Sequence, residues 1–191
     1  MKRLIGLLWA FSVCAHAFVI LPQGHTPQQG SQTRTFTIAS QTSSGLIAWS
    51  NPGNAEITDG VYATVAGSGS VQSEALELSS APFSIPSAAQ ITGIKAIVTR
   101  HYSGAETSIS GTITLVQAGG ALSSAKTDSV AWLTTDDSIN SGGSTDLWGV
   151  SWVPGYVDGS GFGVDYQVTG TGWSSTTAYI DSIIVTVYYK I

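Results

Sequence analysis

Asn51, Asn54 and Asp59 crowd one early loop of the chain, and Asp181 stands in its last long alternating run. Oxygen donors of this kind suit a hard divalent cation, and calcium is the metal that such a set would hold. Only Asp59 and Asp181 are carboxylates, however, and the spacing is not that of an EF-hand loop. The competing reading is that Asn51, Asn54 and Asp59 cap turns through their own backbone while Asp181 satisfies a buried donor. The sequence favours capping. Calcium stays the alternative, with Glu77 as an added ligand, and no other cofactor is implied. Asp136 and Asp137 are adjacent, so on a strand they point to opposite faces and serve to solvate an edge.

Aromatic side chains are the second group able to do chemistry, because flat rings on a shallow face stack on sugars while neighbouring hydroxyls and amides bond to them. Trp132, Trp148, Trp152, Tyr156 and Trp173 all fall in or beside the loop-rich region. Trp148 reads as a core anchor whose indole N–H finds a carbonyl. Trp152 and Tyr156 divide evenly between core and surface. Trp173 follows Gly170-Thr171-Gly172 and is the best exposed candidate, either for a sugar or for a subunit contact.

Catalytic patterns are missing from the sequence. His25 and His101 belong to no spaced metal-ligand set such as H-E-x-x-H, and His101 reads as a surface strand residue. Glu74 and Glu77 are three apart, hence on opposite faces of a strand, and nothing in the spacing pairs either with Asp146 or Asp165 across a glycosidic bond. No G-x-S-x-G elbow occurs, and Gly67-Ser68-Gly69 lacks the helix and lysine of a phosphate loop. The expectation is a protein that is not an enzyme.

The elements that must position these residues are bounded by the ends and the charge. Lys2 and Arg3, an apolar stretch from Leu4 to Val13 and Ala15-His16-Ala17 have the order of a secretory signal covering 1–17. The stretch is shorter than the ~20 residues that cross a bilayer, so no stable membrane span is expected after cleavage. Cys14 would leave with the signal. The implied location is secreted or cell surface. Lys and Arg number 7 against 12 Asp and Glu, a net charge of -5, which repels a phosphate backbone and argues against nucleic acid as a partner. Charged residues are only 10% of the sequence, so Ser, Thr, Gly and Gln must cover the outside. A surface of that kind has little charge repulsion to oppose close lateral packing.

Residues 18–45 read as a polar arm, rich in Gln, Thr, Ser, Gly and Pro, with a first strand at Thr33 to Ala39; the arm is expected to fray or to pair along the sheet edge of a neighbour. The compact domain is expected at 46–191. Ile91 to Tyr102 and Ser108 to Gln117 alternate with a period of two, as does Gly161 to Val168, which ends in a turn over Gly170 to Ser175. The final strand, Thr177 to Tyr189, is apolar on both faces near its centre and so belongs in the middle of a sheet. No convincing helical period follows residue 17. The fold class is all-β: a jelly-roll-like, two-sheet antiparallel β-sandwich.

Trp49-Ser50-Asn51-Pro52, Asp59-Gly60-Val61-Tyr62-Ala63, Phe83-Ser84-Ile85-Pro86, Thr145 to Gly149, Phe162-Gly163-Val164 and the strand from Ala178 to Tyr189 together resemble a module of phage virion and tail-associated proteins and of bacterial secreted or surface proteins. The resemblance implies a jelly-roll sandwich with a structural or adhesive role and carries no catalytic residues. The expected function is an extracellular or surface structural subunit that associates through strand edges, with itself or with another surface protein. A carbohydrate-binding module with a glycan partner is the alternative, and a virion accessory or tail-associated protein the second.

Overall fold

The computed structural model describes residues 27–41, 46–81, 83–105, 108–120, 122–128 and 130–191. The signal at 1–17 and the arm before residue 27 lie outside them. The chain is an all-β, two-sheet antiparallel sandwich with jelly-roll-like topology. Its strands are β1 (Gln29–Thr35), β2 (Ile38–Gln41), β3 (Ala63–Gln72), β4 (Leu76–Ser79), β5 (Gln90–Ala105), β6 (Ser108–Val116), β7 (Lys126–Thr127), β8 (Asp137–Gly142) and β9 (Gly163–Lys190). Helical structure among the described residues is confined to a 3-10 turn at Pro52–Ala55 and one α turn, α1, at Pro154–Val157. Neither is long or apolar enough to cross a membrane.

Everything is organised around β9. Its first part lies between β6 on one side and β4 and the end of β3 on the other, its middle between β3 and β5, and its end between β1 and β5. A strand with partners on both sides over most of its length must be apolar on the core face, and Val164, Tyr166, Val168, Ala178, Ile180, Ile183, Val185 and Val187 are all buried. The central placement expected of the last strand is therefore observed. The turn expected over Gly170 to Ser175 is not: the strand continues through a bend where its ladders shift register, with positive φ at Gly172 (67°) and Ser175 (50°). A bent strand keeps most of its ladder partners, whereas a full turn would leave more backbone groups to be satisfied elsewhere.

The simple alternation expected from Tyr179 to Tyr189 is broken once. Thr99 pairs with Ser182 and Arg100 with Ile180, so Asp181 is an extra residue on β9, a β-bulge. Before the bulge the even positions Ala178 and Ile180 are buried; after it the odd positions Ile183, Val185 and Val187 are.

The arm also behaves differently from its expectation as a contact with a neighbour. Gln29 to Thr35 pairs residue by residue with Lys190 to Ile184 of the same chain, and Phe36 behind it is 1% exposed. β2 continues the sheet by pairing with β4. An in-chain edge is always at hand, so a strand tethered to it forms the ladder without the entropy of bringing two molecules together.

Candidate functional site

The loop at 51–60 and the start of the last strand do meet, as the sequence allowed, but the contact is a backbone cap. Bulged Asp181 is 2% exposed, and its Oδ1 accepts hydrogen bonds from the N–H groups of Asp59 (3.2 Å) and Gly60 (2.9 Å). Asp59 Oδ1 accepts from Val61 N–H at 2.9 Å, and Asn54 Nδ2 donates to the Tyr62 carbonyl at 3.1 Å. Asn51 opens the 3-10 turn with φ 54°. These are turn roles. Glu77 lies elsewhere, in β4 opposite Asp165. Among the described residues no three His, Cys, Asp or Glu converge on one point.

Trp173, expected at the surface, is in the core, and so is Trp152, which the sequence divided evenly between core and surface. Trp173 is 3% exposed and donates from Nε1 to the Ser108 carbonyl at 3.1 Å. Gly170, three residues earlier, has no side chain, and the indole fills that space. Trp152, 6% exposed, meets Phe162 edge-on at 5.8 Å and donates to the Leu147 carbonyl at 2.9 Å. Trp148 is buried as expected, with Nε1 on the Ile94 carbonyl at 2.8 Å. In each case a large ring gains by burial once its single N–H is bonded. Of the three surface candidates Tyr156 alone is exposed, at 43%.

A different aromatic group occupies the surface. His101 on β5 and Tyr179 on β9 are cross-strand partners, and their rings stack at 4.3 Å with an interplanar angle of 8°. Tyr62, on the segment leading into β3, stands perpendicular to both, 4.8 Å from His101 and 5.6 Å from Tyr179. Asp136, just before β8, holds the set: Tyr62 OH donates to Oδ2 at 2.9 Å, and His101 Nδ1 lies 2.7 Å from Oδ1. A carboxylate only accepts, so the imidazole donates to it from Nδ1–H. Tyr62 holds its proton more tightly than a free phenol because it donates to Asp136, with burial and nearby Asp181 and Asp59 adding to the effect. Ser103 Oγ lies 3.2 Å from Tyr179 OH. The rings are half-buried and Asp136 is 42% exposed. Two strands and two connecting segments thus present an aromatic corner with a carboxylate and hydroxyls at its rim. Reading Asp136 as a mere edge solvator and His101 as an ordinary strand residue missed this. Tyr62 and Tyr179 carried no signal in the sequence, since the corner joins residues far apart in the chain.

A second carboxylate pair lies on another face. Glu77 and Asp165 are directly opposite across β4 and β9, and Ser40 Oγ donates to Glu77 Oε2 at 3.1 Å. Burial, with the Glu77 charge adding to it, pushes Asp165 from 3.8 up to about 6.

No family model and no curated protein matches the chain. Solved structures resemble it at low identity, in both a glycan-binding and a phage context. TmCBM61, solved with β-1,4-galactotriose, is 10% identical with a TM-score of 0.39 and 78% of this chain and 86% of that one covered. A Stig cyclase from Fischerella sp. TAU is 10% identical, with a TM-score of 0.41 and coverage of 88% and 78%. The enzymatically active domain of tailspike protein 4 from bacteriophage CBA120 is 6% identical, with a TM-score of 0.37; 85% of this chain matches only 19% of that one. Likenesses this distant assign no activity to the chain.

Proposed function

We propose that this chain is a carbohydrate-binding module, secreted, without catalytic activity of its own. The observation that carries the reading is the aromatic corner of Tyr62, His101 and Tyr179, fixed by one carboxylate at the surface. Sugar rings pair an apolar face with a rim of hydroxyls, and here exposed ring surface adjoins the Asp136 carboxylate, His101 Nε2 and the hydroxyls of Tyr179 and Ser103. Rings already held by hydrogen bonds and mutual packing lose little freedom when a ligand arrives. The strand-edge assembly reading is less well supported, because the arm strand it relied on is paired within its own chain.

The test is titration calorimetry against the best ligand from a glycan array, with the mature protein and with Tyr62→Ala and Tyr179→Ala. Aromatic stacking positions of this kind contribute on the order of 1 to 3 kcal/mol. A loss of tenfold or more in either variant, with the melting temperature little changed, is the expected result. Binding unaffected by both substitutions would refute the site.

A further inference from the structure

We infer that the outward face of β3, β4, β6 and the first part of β9 is a second binding surface, which takes a single extended chain of an uncharged polysaccharide. The inference rests on the glycan-binding reading but concerns a different part of the molecule from the aromatic corner. Two hollows lie on this face. One, of about 430 Å3, is lined by Ser70, Gln72, Ser108, Ser110, Thr169 and Thr171. The other, of about 220 Å3, includes Ser40, Glu77, Ser79 and Asp165.

The same strand joins them. Along β9 the residues Val164, Tyr166 and Val168 are buried, so Asp165, Gln167, Thr169 and Thr171 point the other way. Opposite them on β6 stand Thr114, Thr112, Ser110 and Ser108 in register. At ~3.3 Å per residue the track from Asp165 to Thr171 is about 20 Å long, enough for several sugar rings in line.

The chemistry of the track selects its occupant. Each Ser or Thr hydroxyl both donates and accepts, as a sugar hydroxyl does, and Gln supplies both functions on one side chain. Some of these groups already bond to one another, with Ser108 Oγ 2.9 Å from Thr171 Oγ1 and Gln72 Nε2 3.4 Å from Gln167 Oε1, contacts that a ligand hydroxyl can exchange for its own. A peptide strand is a poor occupant: this part of β9 has β6 on one side and β3 and β4 on the other, so no free backbone edge is offered. A polyanion is poorer still, since the ionisable groups lining either hollow are Glu77 and Asp165, with no Lys, Arg or His. A neutral, hydroxyl-rich chain matches the row of Ser, Thr and Gln side chains along β9 and β6.

The experiment uses the mature protein on an array of galactan, arabinan, xylan, β-glucan and dextran, with polygalacturonate as the charged probe. The best neutral polymer and its shorter oligomers are then titrated against wild type, Thr169→Val/Ser110→Ala and Tyr179→Ala. The expected result is affinity that rises with chain length, and a loss of fivefold or more for the polymer in the double variant at unchanged melting temperature. Polymer binding that survives the double variant but is lost in Tyr179→Ala overturns this inference and leaves the aromatic corner standing. Loss in the double variant alone supports the track and removes the corner. Preference for polygalacturonate overturns the track, and binding to no polysaccharide overturns both.

Discussion

Replacing Asp165 by Asn should make the protein more stable at neutral pH and less sensitive to pH between 4 and 6. Asp165 faces Glu77 across β4 and β9, and burial together with that charge moves its pKa from 3.8 up to about 6. Well below pH 3.8 the group is protonated in both folded and unfolded chains and contributes nothing. Between 4 and 6 the unfolded chain ionises while the folded one resists, so stability falls as pH rises; above 6 the loss is complete. At ~1.36 kcal/mol per pH unit the full shift corresponds to about 3 kcal/mol. The side chain is only half-buried, and solvent screening reduces the figure to about 1 to 2 kcal/mol. An amide keeps the shape and removes the charge. Urea unfolding midpoints at half-unit intervals from pH 4 to 8 would read the effect, with Asp165→Asn gaining about 1 kcal/mol or more at pH 7.5 relative to wild type. Parallel curves for the two proteins, or a gain confined to pH 4, would refute the assigned cause.

Two further substitutions probe the packing. In Gly111→Ala the new methyl group meets the Tyr166 hydroxyl, which is buried with no hydrogen-bond partner among the described residues. We expect a loss of about 1 to 3 kcal/mol in denaturant titration, only partly recovered when Tyr166→Phe is added, because the ring carbon Cζ would still lie 2.5 Å from the new methyl; Tyr166→Phe alone should be neutral or gain about 1 kcal/mol, because it removes an unsatisfied polar group. Trp173→Ala should cost about 3 to 5 kcal/mol in the same assay, since the indole is buried and bonded to the Ser108 carbonyl. An unchanged midpoint with lost glycan binding would return Trp173 to the surface.

The strands that were legible beforehand share one property: each has a core face of consistent period over many residues. The period of two read over Ile91 to Tyr102 puts Ile94, Ala96, Val98 and Arg100 on one face of β5, and all four are buried. What one face of that strand does with an arginine was not legible. Arg100 is fully buried because Asp128, from the segment after β7, pairs with it, the Val130 carbonyl accepts from it at 3.0 Å and the Trp132 ring lies 4.2 Å from its guanidinium. A period records which face a residue takes and is silent about which distant segment covers that face.

Turns were less reliable for the opposite reason. Gly170-Thr171-Gly172 carries every local mark of a loop, yet β9 runs through it, because β6 pairs with Gly170 and Thr171 and β3 with Gly170 and Trp173, partners that local propensity cannot anticipate. Exposure of Trp173 was inferred from that expected loop and failed with it. Asp181 shows a third case, in which a single bulge reversed the phase of the strand and turned a carboxylate onto the backbone of the early loop.

The order of residues along the chain was sufficient to determine the all-β class, the two-layer architecture and the central position of the last strand, since alternating burial is a local, additive property written in consecutive side chains. The aromatic corner, the hydroxyl track and the Glu77–Asp165 pair were decided by tertiary structure alone. Each brings together strands that are distant in sequence, and which strands become neighbours depends on how the whole chain satisfies its hydrogen bonds and fills its core at once.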